Sequence, residues 1–307
     1  MTESPALRIG TRGSPLARWQ ADWVAAQLTA LGYSVELVLI KTQGDVRSGP
    51  IGAIGGQGVF TKELQRALAD GTIDLAVHSL KDLPTLPTPG LHLAAVPPRE
   101  ANSDALVSVA HASLDALPRQ AKVGTGSLRR QSQLLFARPD LHVTDIRGNV
   151  DTRLAKLDAG EYDAIVLAEA GLKRLGLADR IRQVLPREVV LPAVGQGALG
   201  IECRCDDEAT NAALKRLDDA ATHASVVAER ALLAALRGGC MAPVGAWGRM
   251  EDGQLRLEAV VLSAHGSERR YAEGVAPAED AAELGERVAQ SLLDAGAGEL
   301  IKASRML

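Results

Sequence analysis

Asp82 is the best candidate for acid–base chemistry in this sequence. It follows an apolar run and directly precedes Leu83-Pro84, a pair that restricts the local backbone. A carboxylate held at such a position can move a proton to or from a substrate and can stabilise a developing positive charge. An aspartate that bonds its own backbone in a turn explains this position equally well when the position is considered alone.

Arginines recur where an apolar run gives way to a helical pattern. Arginine is disfavoured in the first turn of a helix by the helix dipole, unless an anion also binds there. A solvated surface position is the simpler interpretation of any single arginine. Their recurrence in two α/β segments indicates a ligand with several carboxylates, which guanidinium groups bind in pairs of hydrogen bonds. The arginines of this pattern are Arg12, Arg129, Arg130, Arg147 and Arg153, and Arg174 lies near the end of the following helix.

Cys240 lies in a loop that a helical run, two glycines and Pro243 predict together. A buried thiol at a helix end is the simpler interpretation of this loop by itself. Cys203 and Cys205 lie in an apolar run that predicts a strand with both thiols on one face, and no histidine follows to complete a metal site. Three cysteines without an export signal favour a reducing cytoplasm over a disulfide framework, and we expect no metal.

The composition is that of an ordinary globular protein. The 307 residues are 46% hydrophobic and 23% charged, enough for two or three domains with a buried core. A formal net charge of −4 and only 3% aromatic residues argue against a nucleic-acid binder. No apolar run approaches the length that spans a membrane. We therefore expect a cytoplasmic protein. No oligomerisation stripe is evident in the sequence, so we expect a monomer, and the arginine pattern indicates a small-molecule ligand.

Apolar periodicity predicts a strand–helix series in the first third of the chain. Ligands of open α/β sheets bind at the carboxyl ends of the strands, which is where His78 to Asp82 emerge. A glycine-rich loop over residues 49–58 is expected to be mobile. The predicted strands are 7–11, 35–40, 73–77 and 91–96, and the predicted helices run from Pro15 to near Gly32 and over 60–70.

A second series of the same kind begins at Ala105, and the last third changes to an α+β pattern. Stiff segments at 97–100 and 192–197 are the expected crossings between domains. Asp252-Gly253 predicts a hairpin turn. The predicted strands are 141–146, 164–167, 244–249 and 255–262, with one more ending at Val123-Gly124, and the predicted helices are 128–136, 150–158, 169–175, 208–217, 224–236 and 278–295.

The chain resembles the porphobilinogen deaminase, or hydroxymethylbilane synthase, family along essentially its whole length. The motifs that carry the resemblance occur in order: Ile9 to Ala17, His78 to Pro84, Gly124 to Gln131, Arg147 to Val150, Leu191 to Gly197 and Gly238 to Cys240.

The resemblance implies two doubly wound α/β domains of the type II periplasmic-binding-protein kind and a small α+β domain with an antiparallel sheet. We expect the first to comprise residues 1–97 and 198–217, the second 102–193 and the third 218–307. It also implies a transferase that joins four porphobilinogen units to a dipyrromethane primer, a cofactor linked through Cys240. Ammonia is then released at each addition, and a linear tetrapyrrole is hydrolysed off.

Residue roles follow from the same resemblance. Asp82 matches the catalytic aspartate, and Cys240 matches the residue that carries the dipyrromethane. The expected ligands of acetate and propionate side chains, on cofactor or substrate, are Arg12, Ser14, Ser79, Lys81, Thr125, Ser127, Arg129, Arg130, Arg147, Arg153 and Arg174.

Two other functions fit parts of the sequence. One is a binding module with the same fold, which closes on a small anion without chemistry. The other is a hydrolase with Cys240 as nucleophile and His78 as base, although the sequence assigns no residue to orient the histidine. A histidine at a strand end is more often a structural donor than a base.

Overall fold

The computed structural model describes residues 6–42, 61–239 and 242–306, which form two compact units. The first unit comprises the described residues up to 99 together with 198–223, and the second comprises 100–197 together with 224–306. The glycine-rich loop, Phe60 and Cys240 lie outside the described residues. The structure divides the chain into two units, and the finer division into three domains stays a prediction.

The first unit is built on a five-stranded sheet in the order β2-β1-β3-β10-β4. Strand β1 pairs in parallel with β2 and with β3, whereas β10 is antiparallel to β3 and β4. Its elements are β1 (Leu7–Thr11), α1 (Pro15–Ala30), β2 (Val35–Leu39), α2 (Lys62–Ala69), β3 (Leu75–Ser79), β4 (Leu91–Ala95), β10 (Leu199–Arg204) and α6 (Glu208–Lys215).

The second unit contains a sheet with the same topology, in the order β7-β6-β8-β5-β9. Strand β6 is parallel to β7 and β8, and β5 is antiparallel to β8 and β9. Its elements are β5 (Asp104–Val107), β6 (Lys122–Gly124), α3 (Leu128–Ala137), β7 (His142–Thr144), α4 (Val150–Asp158), β8 (Ala164–Ala168), α5 (Glu169–Arg174) and β9 (Ile181–Val184).

An antiparallel three-stranded sheet completes the second unit. A core that includes Leu232, Leu257 and Leu284 packs α7 and α8 against this sheet. At its first hairpin Asp252 and Gly253 both have positive φ, the conformation of the expected two-residue turn. The elements are α7 (Ala220–Ala235), which carries the chain into this unit, β11 (Val244–Glu251), β12 (Gln254–Leu262), β13 (Arg269–Ala276), α8 (Ala281–Asp294) and α9 (Ala297–Ser304).

The predicted architecture is confirmed: two doubly wound α/β sheets and an α+β segment with an antiparallel sheet. In each doubly wound sheet the antiparallel strand, β10 or β5, is the first that the chain forms after a crossing segment. The expectation of mostly parallel sheets is confirmed with that one exception per sheet. The sequence prediction missed β9, β13 and α9.

Candidate functional site

The predicted site residues of the first unit lie at one edge of its sheet. Strands β1 and β3 are adjacent and parallel, with Ile9 opposite Leu75 and Gly10 opposite Ala76, so their carboxyl ends share that edge. The residues at or just beyond these ends are Arg12, Ser14, Ser79, Lys81 and Asp82. The structure thus brings together hydroxyls, cations and one carboxylate, as the strand-end argument predicts.

Asp82 ends a single 3₁₀ turn, Leu80–Asp82, directly after β3. Leu80 is 1% exposed and anchors the turn, because a Cβ on Gly200 of β10 would lie 2.6 Å from its Cδ1 atom. The Leu83 N–H donates to the Leu80 carbonyl at 3.1 Å, and Leu83 is also buried. Burying a leucine side chain contributes about 2 kcal/mol, so the two leucines hold Asp82 half-buried at the sheet edge.

Two hydroxyls at this edge have defined roles in the structure. The Ser79 hydroxyl lies 2.8 Å from Gln20 Nε2 and 3.1 Å from Gln20 Oε1, so the buried amide of Gln20 fixes its orientation. Ser14 is the N-cap of α1, and its hydroxyl accepts from the Ala17 N–H at 3.3 Å. Gln20 was not predicted as a site residue; its position on the buried face of α1 gives no signal of its partner.

His78 is a structural residue in this fold. Its Nε2 atom lies 2.9 Å from a carboxylate oxygen of Glu202, and both side chains are buried. Gln65 Nε2 lies 3.2 Å from each oxygen of the same carboxylate. Because the ring is buried against this carboxylate, the structure favours the structural interpretation of His78 over the role of a hydrolase base.

The second unit repeats the arrangement at the carboxyl ends of β6 and β7. The Thr125 hydroxyl accepts from the Ser127 N–H at 3.2 Å, just before α3. Arg147 Nε lies 2.7 Å from an oxygen of Asp145, and Arg153 Nε donates to the Gly148 carbonyl at 2.8 Å. The two arginines are half-buried, so solvent reaches both guanidinium groups.

Arg129 and Arg130 in the first turn of α3 share a buried carboxylate. Asp104, the first residue of β5, is fully buried, and the two arginines are 4% and 6% exposed. Arg129 Nη1 donates to Asp104 Oδ2 at 2.6 Å, and Arg130 Nε donates to Asp104 Oδ1 at 2.8 Å. The protein therefore supplies part of the negative charge that the arginine pattern predicted.

Burial alone raises the pKa of the Asp104 carboxyl, but the charges of Arg129 and Arg130 and hydrogen bonds from Arg129 and Gln196 outweigh burial. The net effect is a pKa well below its ordinary value. Burial lowers the pKa of the Arg130 guanidinium, and Asp104 opposes that shift. The three residues are thus held as an ionised buried cluster.

Gln196, in the second crossing segment, joins this cluster to the residues that follow the first crossing segment. Its Nε2 atom donates to the Asn102 carbonyl at 2.8 Å and to Asp104 Oδ1 at 3.0 Å. Arg174, at the end of α5, donates to the Gly197 carbonyl at 2.7 Å and is buried. Asp104 and Gln196 were not predicted as site residues; Gln196 does lie in the Leu191 to Gly197 motif, which was a usable signal.

The cysteines in the described residues do not share a strand face, so that prediction was wrong. Strand β10 ends at Arg204, which leaves Cys205 exposed beyond it, while Cys203 is fully buried. Burial raises the pKa of the Cys203 thiol to about 12. Its Sγ lies 3.5 Å from His92 Nε2 and 3.4 Å from Asn211 Oδ1. Cys203 is consequently an inert core thiol.

The described residues contain neither a metal-ligand cluster nor a membrane-spanning helix. No group of three or more histidine, cysteine, aspartate or glutamate side chains within residues 6–42, 61–239 and 242–306 is placed to hold a metal ion. In the same ranges, no helix is both long and apolar enough to cross a membrane.

Fold and site together define the class. This is an α/β protein with two doubly wound sheets that carry polar and cationic side chains at their strand ends, continued by an α+β segment. The chain belongs to the porphobilinogen deaminase family: residues 7–212 match its dipyromethane cofactor binding domain, and residues 223–294 match its C-terminal domain.

Solved structures with distant similarity include three binding proteins. The methionine binding protein MetQ has a TM-score of 0.45 at 16% identity, over 69% of this chain and 89% of that one. A periplasmic substrate-binding protein of an ABC transporter from Coxiella burnetii gives 0.44 at 15%, over 69% and 91%. The aliphatic sulphonate binding protein SsuA from Escherichia coli gives 0.39 at 19%, over 76% and 71%.

The residues at the strand ends of the second unit fit a group with several carboxylates. Neither Ser127 nor Asn149, the N-caps of α3 and α4, makes a side-chain capping bond, so the first-turn N–H groups remain available to an anion. Among the described residues, the buried Nε atom of Arg129 has no hydrogen-bond partner. Unused N–H donors beside several cations suit the carboxylate side chains of a dipyrromethane.

Proposed function

We propose that this protein is a hydroxymethylbilane synthase. It joins four porphobilinogen units head to tail onto an enzyme-bound dipyrromethane, releases ammonia at each addition and hydrolyses off hydroxymethylbilane. The observation that carries the proposal is that the two family domains match in order and together span nearly the whole chain. Asp82 and the cationic strand ends supply side chains with the chemistry that this reaction needs.

Asp82 is the proposed catalytic residue. Each addition breaks the bond between the aminomethyl carbon of porphobilinogen and its nitrogen, which leaves as ammonia. The carbon then bonds to a free pyrrole carbon, which loses its proton. A half-buried carboxylate beside the reacting unit assists departure of the nitrogen and stabilises the positive charge that develops on the pyrrole. The leucine-anchored turn keeps that carboxylate in place.

The polar and cationic residues bind the acetate and propionate side chains of the pyrrole units. Accessibility decides which of these residues can contact the ligand directly. The nitrogens of Arg130 already donate to Asp104, to the Val166 carbonyl and to Gln196. Arg147 and Arg153 are better placed for direct contact. The full proposed set is Arg12, Ser14, Ser79, Lys81, Thr125, Ser127, Arg129, Arg130, Arg147, Arg153 and Arg174.

Cys240 is the proposed attachment point of the cofactor, through a thioether. When bound, the dipyrromethane supplies the free pyrrole carbon to which the first unit is joined. Cys240 lies outside the described residues, and what supports its role is the family membership and the glycine-flanked loop in which it lies. The thiol is an anchor in this proposal, and the reaction does not consume it.

The test is ammonia release from porphobilinogen by the wild-type protein and by Asp82→Asn. We expect steady release by the wild type and a loss of about 10²- to 10⁴-fold in the variant, the usual contribution of a general acid or base. Asp70→Asn, an exposed aspartate in the same unit, is the control and should keep full activity. Wild-type protein that binds porphobilinogen without releasing ammonia would support the binding module instead.

A further inference from the structure

Gln133 on α3 is paired with the backbone of Leu191, the residue just before the second crossing segment. The Leu191 N–H donates to Gln133 Oε1 at 2.8 Å, and Gln133 Nε2 donates to the Leu191 carbonyl at 3.0 Å. Gln133 is 5% exposed and Leu191 is 3% exposed. The side-chain amide thus bonds both backbone groups of Leu191, as a neighbouring strand would. Losing a buried pair of hydrogen bonds lowers stability.

The same Leu191 carbonyl also holds Arg129. Arg129 Nη1 donates to it at 2.6 Å, in addition to its bond with Asp104. The position of the Arg129 guanidinium therefore depends on where Leu191 lies. Gln133 contacts both Leu191 and Arg129, because its Nε2 atom also lies 3.2 Å from the Arg129 carbonyl oxygen.

The other side of Leu191 is packed against β11. A Cβ on Gly245 would lie 2.9 Å from the Leu191 carbonyl oxygen and 3.2 Å from Gln133 Nε2, so the close approach requires glycine here. Ala246, which follows Gly245 on β11, bonds to the residue that follows Leu191: the Ala246 N–H donates to the Pro192 carbonyl at 2.9 Å. Leu191 also packs with Val260 and with Trp247.

Strand β11 begins at Val244, four residues after Cys240 in the sequence. One short path of buried contacts thus connects the strand that leaves the cysteine loop to the first turn of α3. The path runs from Ala246 and Gly245 to Leu191, and from Leu191 to Gln133 and Arg129. Hydrogen bonds and backbone packing form every step.

We propose that Gln133 is a positioning residue that sets the first turn of α3, and with it Arg129, relative to the strand leaving the cofactor-attachment loop. This inference rests on the proposed function, in which Arg129 binds a carboxylate of the pyrrole units that are attached to Cys240. Gly245 is the second component, because it lets Leu191 lie between α3 and β11. Misplacement of about 1 Å costs about 10²-fold in rate where binding groups must be aligned.

The test compares Gln133→Met and Gly245→Ala with two matched controls. Ser132→Ala changes the neighbouring residue on α3, whose fully buried hydroxyl donates to the Arg129 carbonyl within the helix. Gly274→Ala inserts a methyl group in the same three-stranded sheet, where it meets side chains of Leu284 and Val288. The controls report the cost of altering the helix or the sheet without touching Leu191.

Activity and cofactor loading are the first readouts. We expect kcat/KM with porphobilinogen to fall at least tenfold in both test variants and less than twofold in the controls. The double variant should be no worse than the poorer single variant, because both changes act through Leu191. Apo-protein incubated with porphobilinogen should gain its mass adduct more slowly in the test variants. Additive losses, or losses equal to those of the controls, would overturn the proposal.

Hydrogen exchange of the apo-protein tests the connection without any ligand. Gln133→Met should speed exchange in peptides covering residues 186–197 and also in those covering 243–250. Ser132→Ala should change neither. Faster exchange confined to the first peptide would show that Leu191 does not couple α3 to β11, which overturns the inference even if the enzyme is active. Absence of adduct and activity in the wild type would instead contradict the proposed function.

Discussion

Arg130 Nε donates to Asp104 Oδ1 at 2.8 Å, and Arg130 Nη2 lies 2.8 Å from the same oxygen in an ion pair. Asp104 is fully buried, and its other oxygen is held by Arg129. The cluster spans α3, β5 and, through Gln196, the second crossing segment. It explains how two consecutive arginines are accommodated in the first turn of a helix, where the helix dipole disfavours them.

Replacing Asp104 should destabilise the protein strongly at neutral pH. Asp104→Asn leaves two buried guanidinium groups without their counter-ion, and breaking such a cluster typically costs about 3–5 kcal/mol. The native pKa lies below the ordinary value of 3.8, so the contribution of the ionised carboxylate is complete above that value. It is lost as pH falls through the lower native pKa. Urea unfolding between pH 7 and pH 3 measures both effects.

The gap in unfolding free energy between wild type and Asp104→Asn should therefore stay constant from about pH 7 to pH 5 and shrink below about pH 4. Asp158→Asn is the matched control, since Asp158 forms an exposed pair with Arg180 and should cost less than about 1 kcal/mol. A gap that is unchanged at pH 3, or one that widens there, contradicts the assignment of Asp104 as an ionised buried group.

Replacing an accessible arginine should lower activity, whereas replacing a buried arginine should lower thermal stability. Arg147→Ala should lower kcat/KM at least tenfold with little change in Tm, because a charge-assisted hydrogen bond to substrate is worth about 1.5–3 kcal/mol. Arg130→Met should lower Tm by more than about 6 °C, because it disrupts the buried cluster. Steady-state kinetics and thermal unfolding on the same preparations give the comparison.

Arg180→Ala serves as the control for both arginine variants, because the ion pair of Arg180 with Asp158 lies at the surface. It should leave kinetics and Tm close to the wild-type values. Should Arg130→Met instead keep its Tm and lose only kcat/KM, Arg130 is a ligand of substrate or cofactor and its structural role is wrong.

The thiols of Cys203 and Cys205 should differ sharply in reactivity. Cys205 is exposed, so iodoacetamide should label it in the folded protein. Cys203 has a pKa raised to about 12, which leaves only about one thiolate in 10⁴ at pH 8, and it should react only after unfolding. Peptide mapping after labelling at pH 8, with and without denaturant, distinguishes them. Cys203 labelled as fast as Cys205 in the folded protein would contradict its burial.

Elements with strong local signals could be predicted from the sequence. The strand Leu7–Thr11 and the helix Val150–Asp158 have the predicted bounds, because each is a clear apolar pattern that ends at a polar turn. The Asp252-Gly253 turn was equally clear, since these residue types accept positive φ. Strand β13 was missed because its alternation is carried by charged side chains on an exposed face.

The candidate site was predictable only in part, for a physical reason. Position and motif resemblance predicted Asp82 and the arginines as candidates, but not the residues that contact them. The partner of Arg130 is Asp104, 26 positions earlier, and the partner of Ser79 is Gln20, 59 positions earlier. Such contacts are set by tertiary packing, and neither Asp104 nor Gln20 carries a local pattern that announces it.

The most direct test of the proposed function is the intact mass of the purified protein. The proposed function predicts a mass greater than that of the sequence by a covalent two-pyrrole adduct, mapped to the peptide that contains Cys240. Cys240→Ser should show the sequence mass alone and no activity, while Cys205→Ser should keep both adduct and activity. Wild-type protein that has the unmodified mass and is nevertheless fully active would contradict the proposed function.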